Sequence, residues 1–134
     1  MFIGHGRSLV WRTLNDLLVD NLGLETSEFN SVSVAGISTV TRLEELLQAS
    51  SFAFLVMTAE DLHEDGSRHA RENVVHEVGL FQGHLGFARA IVLLEEGCEE
   101  FSNLAGVGQI RFPKGDVLAK SEEIRSVLKR EKII

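Results

Sequence analysis

Short runs of continuous apolar residues alternate along the chain with stripes at helical spacing, and polar or glycine-containing breaks separate them. Phe2 and Ile3 open the first run, which stops at Gly4-His5-Gly6-Arg7. Ser8 stands where a helix cap is expected, and Leu9, Val10, Leu14, Leu17, Leu18 and Leu22 continue a helical pattern that Asn21 and Gly23 end. Residues 29–34 read as the weakest strand, because Ser31-Val32-Ser33-Val34 alternates while Glu28, Asn30 and the serines place it at an edge. A loop from Ala35 to Thr39 follows, and either Ser38 or Thr39 can cap a helix carrying Val40, Leu43, Leu46 and Leu47. Phe52 to Met57 is apolar at every position, the pattern of a strand buried on both faces. The acidic stretch from Thr58 to Ser67 connects it to a helix expected from His69 to Gly86. Ala88 to Leu94 is another buried strand, Glu95 to Glu100 an acidic turn, and Phe101 to Gly106 a short helical turn. The last strand falls around Gly108 to Phe112, Pro113 to Asp116 breaks the chain, and Val117, Leu118, Ile124, Val127 and Leu128 mark the final helix. Lys129, Arg130 and Lys132 complement the negative end of that helix dipole. Five strands alternating with helices predict a parallel sheet covered on both faces, in a single domain over residues 1–134.

The helix from His69 to Gly86 organises this pattern. Val74, Val78, Phe81 and Leu85 form one stripe, widened by Val75, while Asn73 and Glu77 stand one turn apart on its flank. Gly79 and Gly83 weaken the helix by roughly 1 kcal/mol each relative to alanine. Two readings fit. Either the glycines ease packing in a core helix whose Glu77 is solvated, or they leave room beside a carboxylate for a neighbour or ligand.

Composition narrows the classes. Apolar residues make up 44% and charged residues 25% of 134, a globular balance. Twenty acidic side chains against thirteen basic ones give a formal charge of -7, which argues against a basic nucleic-acid scaffold. Cys98 is the single cysteine, so no internal disulfide forms and a reducing compartment is expected. No run reaches the twenty or so apolar residues of a membrane span.

The usual motifs are mostly missing. Gly4-His5-Gly6-Arg7-Ser8-Leu9 departs from the dinucleotide fingerprint, and no phosphate-loop lysine motif occurs. The first turn can still offer backbone amides to a phosphate, and Arg7 can hold an anion or a surface carboxylate. His76-Glu77 begins like a zinc-protease helix, but Leu80 occupies the place of the second histidine, so no metal is expected at His63, His69, His76 or His84. Nor does any serine sit in a nucleophile elbow. A carboxylate at Glu77, near strand ends and partly enclosed by apolar groups, can orient a sugar hydroxyl or stabilise an oxocarbenium-like charge. A second carboxylate is not required when the leaving group is already cationic.

Phe2-Ile3-Gly4-His5-Gly6-Arg7, the Gly36 loop with its helix Val40 to Leu47, and Phe52 to Thr58 with Asp61 are similar to a known family, and Arg71 to Gly86 carries its most specific motif. That motif reads Arg-x-Asn-Val-x-x-Glu-x-Gly-x-Phe-x-Gly-x-Leu-Gly. The chain resembles the TIR-like predicted nucleotide-binding domains of bacterial defence effectors, including those linked to cyclic-nucleotide sensors. The resemblance implies a three-layer, flavodoxin-like α/β fold with a five-stranded parallel sheet, in a domain taken from a longer sensor-effector protein. It also implies cleavage of the nicotinamide-ribosyl bond of NAD, which is substrate rather than cofactor, by hydrolysis or cyclisation. The family glutamate falls on Glu77. Arg71 and Asn73 are placed near the ribose or phosphates, while His5, Gly6 and Arg7 of the first turn, Gly36 and Ile37 of the next loop, and Asp61 border the dinucleotide. A cytoplasmic homo-oligomer or filament active in antiphage defence is expected, without direct nucleic-acid contact or a membrane segment. A non-catalytic TIR adaptor, or a nucleotide-binding module without turnover, shares the same pattern. His76, often apolar in the family, and the polar stretch from Glu28 to Ser33 depart from it.

Overall fold

The computed structural model describes residues 1–30, 35–100 and 108–134. Four parallel strands form the sheet among these residues: β1 (Phe2–Gly4), β2 (Ala53–Met57), β5 (Ala90–Glu95) and β6 (Ile110–Phe112), in the order β1-β2-β5-β6. Every residue of β2 and β5 is buried, as expected of strands covered on both sides. Alternation then divides the core. Phe2, Ala53, Leu55, Met57, Val92 and Leu94 meet one layer of helices. Ile3, Phe54, Val56, Ile91, Leu93 and Ile110 meet the other.

The first layer holds α2 (Thr39–Ala49) and α3 (Glu72–Leu85). The second holds α1 (Val10–Asp16), which widens into π-type turns over Leu17–Asn21, and α4 (Ser121–Arg130), entered through a 3-10 turn at Val117–Lys120. Ser38 caps α2 by accepting from the Thr41 amide at 3.1 Å. Ser8 does not cap α1. The cap position is Leu9, although the Ser8 hydroxyl accepts from the Val10 amide at 3.4 Å, at the first residue of the helix.

The apolar stripe of α3 is buried as its spacing requires. Val74, Val78 and Phe81 are sealed in the core, and Phe81 stacks on Phe2 with ring centroids 4.3 Å apart. The expected start of that helix is corrected by three residues, because His69 belongs to a strand. β3 (Asp61–Leu62) and β4 (Arg68–His69) make a small antiparallel hairpin out of what reads in sequence as an acidic connection. Asp65 accepts from the Ser67 amide at 2.9 Å, and Gly66 turns the chain with φ +85°. The glycines of α3 also differ from expectation. A Cβ built on Gly79 or Gly83 meets nothing within 4 Å, so neither makes room for a neighbour among the described residues.

The expected second strand is only partly within view. Phe29 and Asn30 lie in a turn, and residues 31–34 fall outside the described residues, as does the helical turn expected at 101–106. On the side of β1 away from β2, Ser27 makes one parallel bridge to Phe2, with the Ile3 amide donating to the Ser27 carbonyl at 2.8 Å.

Candidate active site

Sequence dictates where Glu77 ends up. The Val74-Val78-Phe81 stripe must face the sheet, and Glu77 precedes Val78 on the flank nearest the end of β1. There a cleft of about 180 Å³ opens. Phe2, Ile3 and His5 line it from β1 and the first turn, Asn73, His76 and Glu77 from α3. Glu28, Phe29 and Asn30 close a third side, with Thr39 and Leu43 of α2 behind them.

Glu77 is the buried ionisable group of this cleft, with 7% of its surface exposed. Its Oε2 is enclosed and has no hydrogen-bond partner among the described residues. Burial, reinforced by the negative charge of Glu28, pushes its pKa up to about 7. Space for the carboxylate comes from Gly4, where a Cβ would stand 2.6 Å from Oε2. Only glycine at the end of β1 admits the acid at this depth.

Aromatic and acidic groups hold the wall opposite α3. The His5 ring stacks on Trp11 at 4.2 Å, its Nε2 lies 2.9 Å from Glu28 Oε2, and its Nδ1 lies 2.8 Å from the Gly6 carbonyl. Both ring nitrogens therefore face acceptors. The cleft combines a partly protonated carboxylic acid, an ordered imidazole and an amide with an apolar floor, which suits a ring or sugar with few polar contacts.

Of the residues singled out in the sequence, the structure brings Glu77, His5 and Asn73 together in the cleft. Gly6 and Arg7 belong to the adjoining turn, where the Arg7 side chain is exposed and its amide donates to Glu60. Gly36, with φ +80°, and the half-exposed Ile37 precede α2 without lining the cleft. Asp61 pairs with His69 in the hairpin, and Arg71 is the cap residue of α3, its carbonyl accepting from the Val74 and Val75 amides. No local spacing in the sequence points to Glu28 or Phe29 as lining residues. Their place depends on a bridge from Ser27 to β1, a contact across the fold that no local spacing announces.

Among the described residues, no group of three or more His, Cys, Asp or Glu side chains is arranged to hold a metal ion. No helix among them is long and apolar enough to cross a membrane. Cys98 is buried, which pushes its thiol up to about 11, away from thiolate chemistry.

Residues 1–114 match the family model described as the TIR domain of the CAP12/Pycsar effector protein. The chain is 37% identical over 90 residues to CD-NTase-associated protein 12 of Flavobacterium daejeonense, covering 63% of this chain and 29% of that protein. It is 37% identical over 86 residues to the Pycsar effector protein PaPycTIR of Pseudomonas aeruginosa, covering 60% and 27% respectively. An uncharacterised protein of Escherichia coli K12, YuaY, is 31% identical over 118 residues, or 80% of this chain and 38% of its own. The chain thus spans less than two-fifths of the length of these relatives. By the extent of the family match, this chain belongs to the TIR-domain family of CAP12/Pycsar effectors.

Proposed function

We propose that this domain cleaves the nicotinamide-ribosyl bond of NAD, with Glu77 as its catalytic carboxylate. The observation that carries the reading is the position of Glu77, buried at a cleft, with an unpartnered oxygen and a pKa of about 7. Perturbed acids in clefts are where chemistry is expected. Membership of the TIR family and the specific motif from Arg71 to Gly86 support the substrate.

Nicotinamide in NAD carries a formal positive charge on its ring nitrogen. When the carbon-nitrogen bond breaks, the electron pair stays with nitrogen, nicotinamide departs neutral, and the ribose becomes oxocarbenium-like. Ionised Glu77 accepts a hydrogen bond from a ribose hydroxyl and stabilises that developing charge. Water then attacks the anomeric carbon and releases a proton, or an adenine nitrogen of the same molecule closes a ring. In this reading His5 and Asn73 border the ligand, with Gly6, Arg7, Gly36, Ile37, Asp61 and Arg71 on elements that meet the dinucleotide outside the cleft. The five-stranded flavodoxin-like sheet belongs to the same proposal, with its fifth position at the β1 edge where Ser27 forms its bridge. So do assembly into a cytoplasmic homo-oligomer, a linked cyclic-nucleotide sensor and a role in antiphage defence.

Incubation of the chain at high concentration with NAD, followed by quantitation of free nicotinamide, tests the reading. Turnover is expected, with loss of at least about 100-fold in Glu77→Gln. Undiminished turnover in that variant removes Glu77 from the chemistry.

A further inference from the structure

Glu60 lies just beyond β2, outside the cleft, yet its carboxylate reaches across to the first turn. Its Oε1 accepts from the amides of both Arg7 and Ser8, each at 2.7 Å. Two backbone amides thus converge on one carboxylate oxygen at short range. Its Oε2 is buried and unpartnered among the described residues. The turn is shaped around this carboxylate: a Cβ on Gly6 would collide with Glu60 Oε2 and fall 3.0 Å from Cδ and 3.2 Å from Oε1. Those are the three nearest atoms, so Glu60 is what requires glycine at position 6. The Glu60 amide donates in turn to the His69 carbonyl at 3.1 Å, which ties this residue to the small hairpin.

The first turn, read from sequence as a place where amides meet a substrate phosphate, therefore already spends two amides on an internal acid. His5 stands two residues before the first of them and lines the cleft. We propose that Glu60 is a positioning residue that clamps the turn His5–Ser8 to the exit of β2 and so fixes where His5 stands at the mouth of the site. The catalytic part of this inference rests on the NAD reading above; the clamp itself does not.

Two measurements separate them. In nitrogen-15 correlation spectra of the chain, Glu60→Ala moves the Arg7 and Ser8 amide protons upfield, and the His5 ring protons shift because the Trp11 ring current depends on their stacking. Gly6→Ala lowers the melting midpoint of the native chain far more than that of Glu60→Ala, since the clashing atoms are gone. In the NAD assay, Glu60→Ala loses 10- to 100-fold in kcat/KM, the scale of a displacement of roughly 1 Å near the chemistry. Glu60→Gln keeps an acceptor oxygen for the same amides and regains most of that activity. Unmoved Arg7 and Ser8 amides in Glu60→Ala overturn the clamp. A moved turn with unchanged kcat/KM overturns its positioning role. Absence of NAD cleavage in the native chain counts against the NAD reading alone, because the spectra and the melting cycle still decide the clamp.

Discussion

Replacing Glu77 by glutamine isolates the energetic cost of a buried acid. In the unfolded chain the carboxyl titrates near 4.5, whereas in the fold burial and Glu28 raise it to about 7. Between these values the unfolded chain has released its proton while the folded chain still holds one, so stability falls as pH rises. The penalty is absent below pH 4.5 and complete above about 7. At about 1.4 kcal/mol per pH unit, that interval corresponds to about 3 kcal/mol. Glutamine resembles the protonated acid in shape and does not ionise. Glu77→Gln should therefore match the native chain at pH 4 and exceed it by about 3 kcal/mol at pH 8, or roughly 10 °C in melting midpoint for a domain of this size. Urea unfolding of both proteins at half-unit steps from pH 4 to 8 measures the difference, in which titrating groups that do not interact with Glu77 cancel. A stability difference that stays constant across this range would refute the reasoning, because it would mean that Glu77 keeps its ordinary affinity for protons on folding.

Removing the neighbouring charge acts in the same direction but less. Glu28→Gln should lower the Glu77 pKa while leaving it above its unperturbed value, since burial is the larger cause; a carbon-13 titration of the Glu77 carboxyl reads the change. Gly4→Ala forces a Cβ to within 2.6 Å of Glu77 Oε2 and 2.7 Å of Leu55 Cδ1. Overpacking of this kind costs about 1–3 kcal/mol, measurable by urea unfolding, and should reduce NAD turnover as the acid is displaced.

How much of this was readable from sequence depends on how far apart the interacting residues lie. Phe52 to Met57 and the Val74-Val78-Phe81-Leu85 stripe are local patterns, fixed by the pleat and the helical repeat; the strand forms over Ala53–Met57, and Val74, Val78 and Phe81 are buried while Leu85 is partly buried. Ser38 likewise announces its helix within three residues. The hairpin Asp61–Leu62 with Arg68–His69 leaves no such trace, because strands of two residues are too short to show a period. Glu77 could be singled out as a flanking carboxylate, but its depth required Gly4, 73 positions earlier in the chain. Glu28 beside His5 and Glu60 on the Arg7 and Ser8 amides are invisible for the same reason, their separations being 23, 53 and 52 residues. The glycines misled in the opposite sense. Gly79 and Gly83, which read as easing packing or leaving room for a neighbour or ligand, have no described atom within 4 Å of a built Cβ, whereas Gly4 and Gly6, which read as parts of the first turn, are the positions where a side chain would collide.

The stacking of Phe81 on Phe2 divides responsibility within the site. Phe81 lies one turn beyond Glu77 on α3, and Phe2 lies two residues before Gly4 on β1, so one aromatic pair aligns both the acid and the gap that receives it. The depth of the carboxylate is thereby a property of the hydrophobic core. The rim, built from Glu28, Phe29 and Asn30, belongs to a segment that connects the core elements, and Thr39 opens α2 behind it. Variation at the rim can reshape the cleft mouth while the acid stays where folding puts it, whereas a change in the core moves the acid itself.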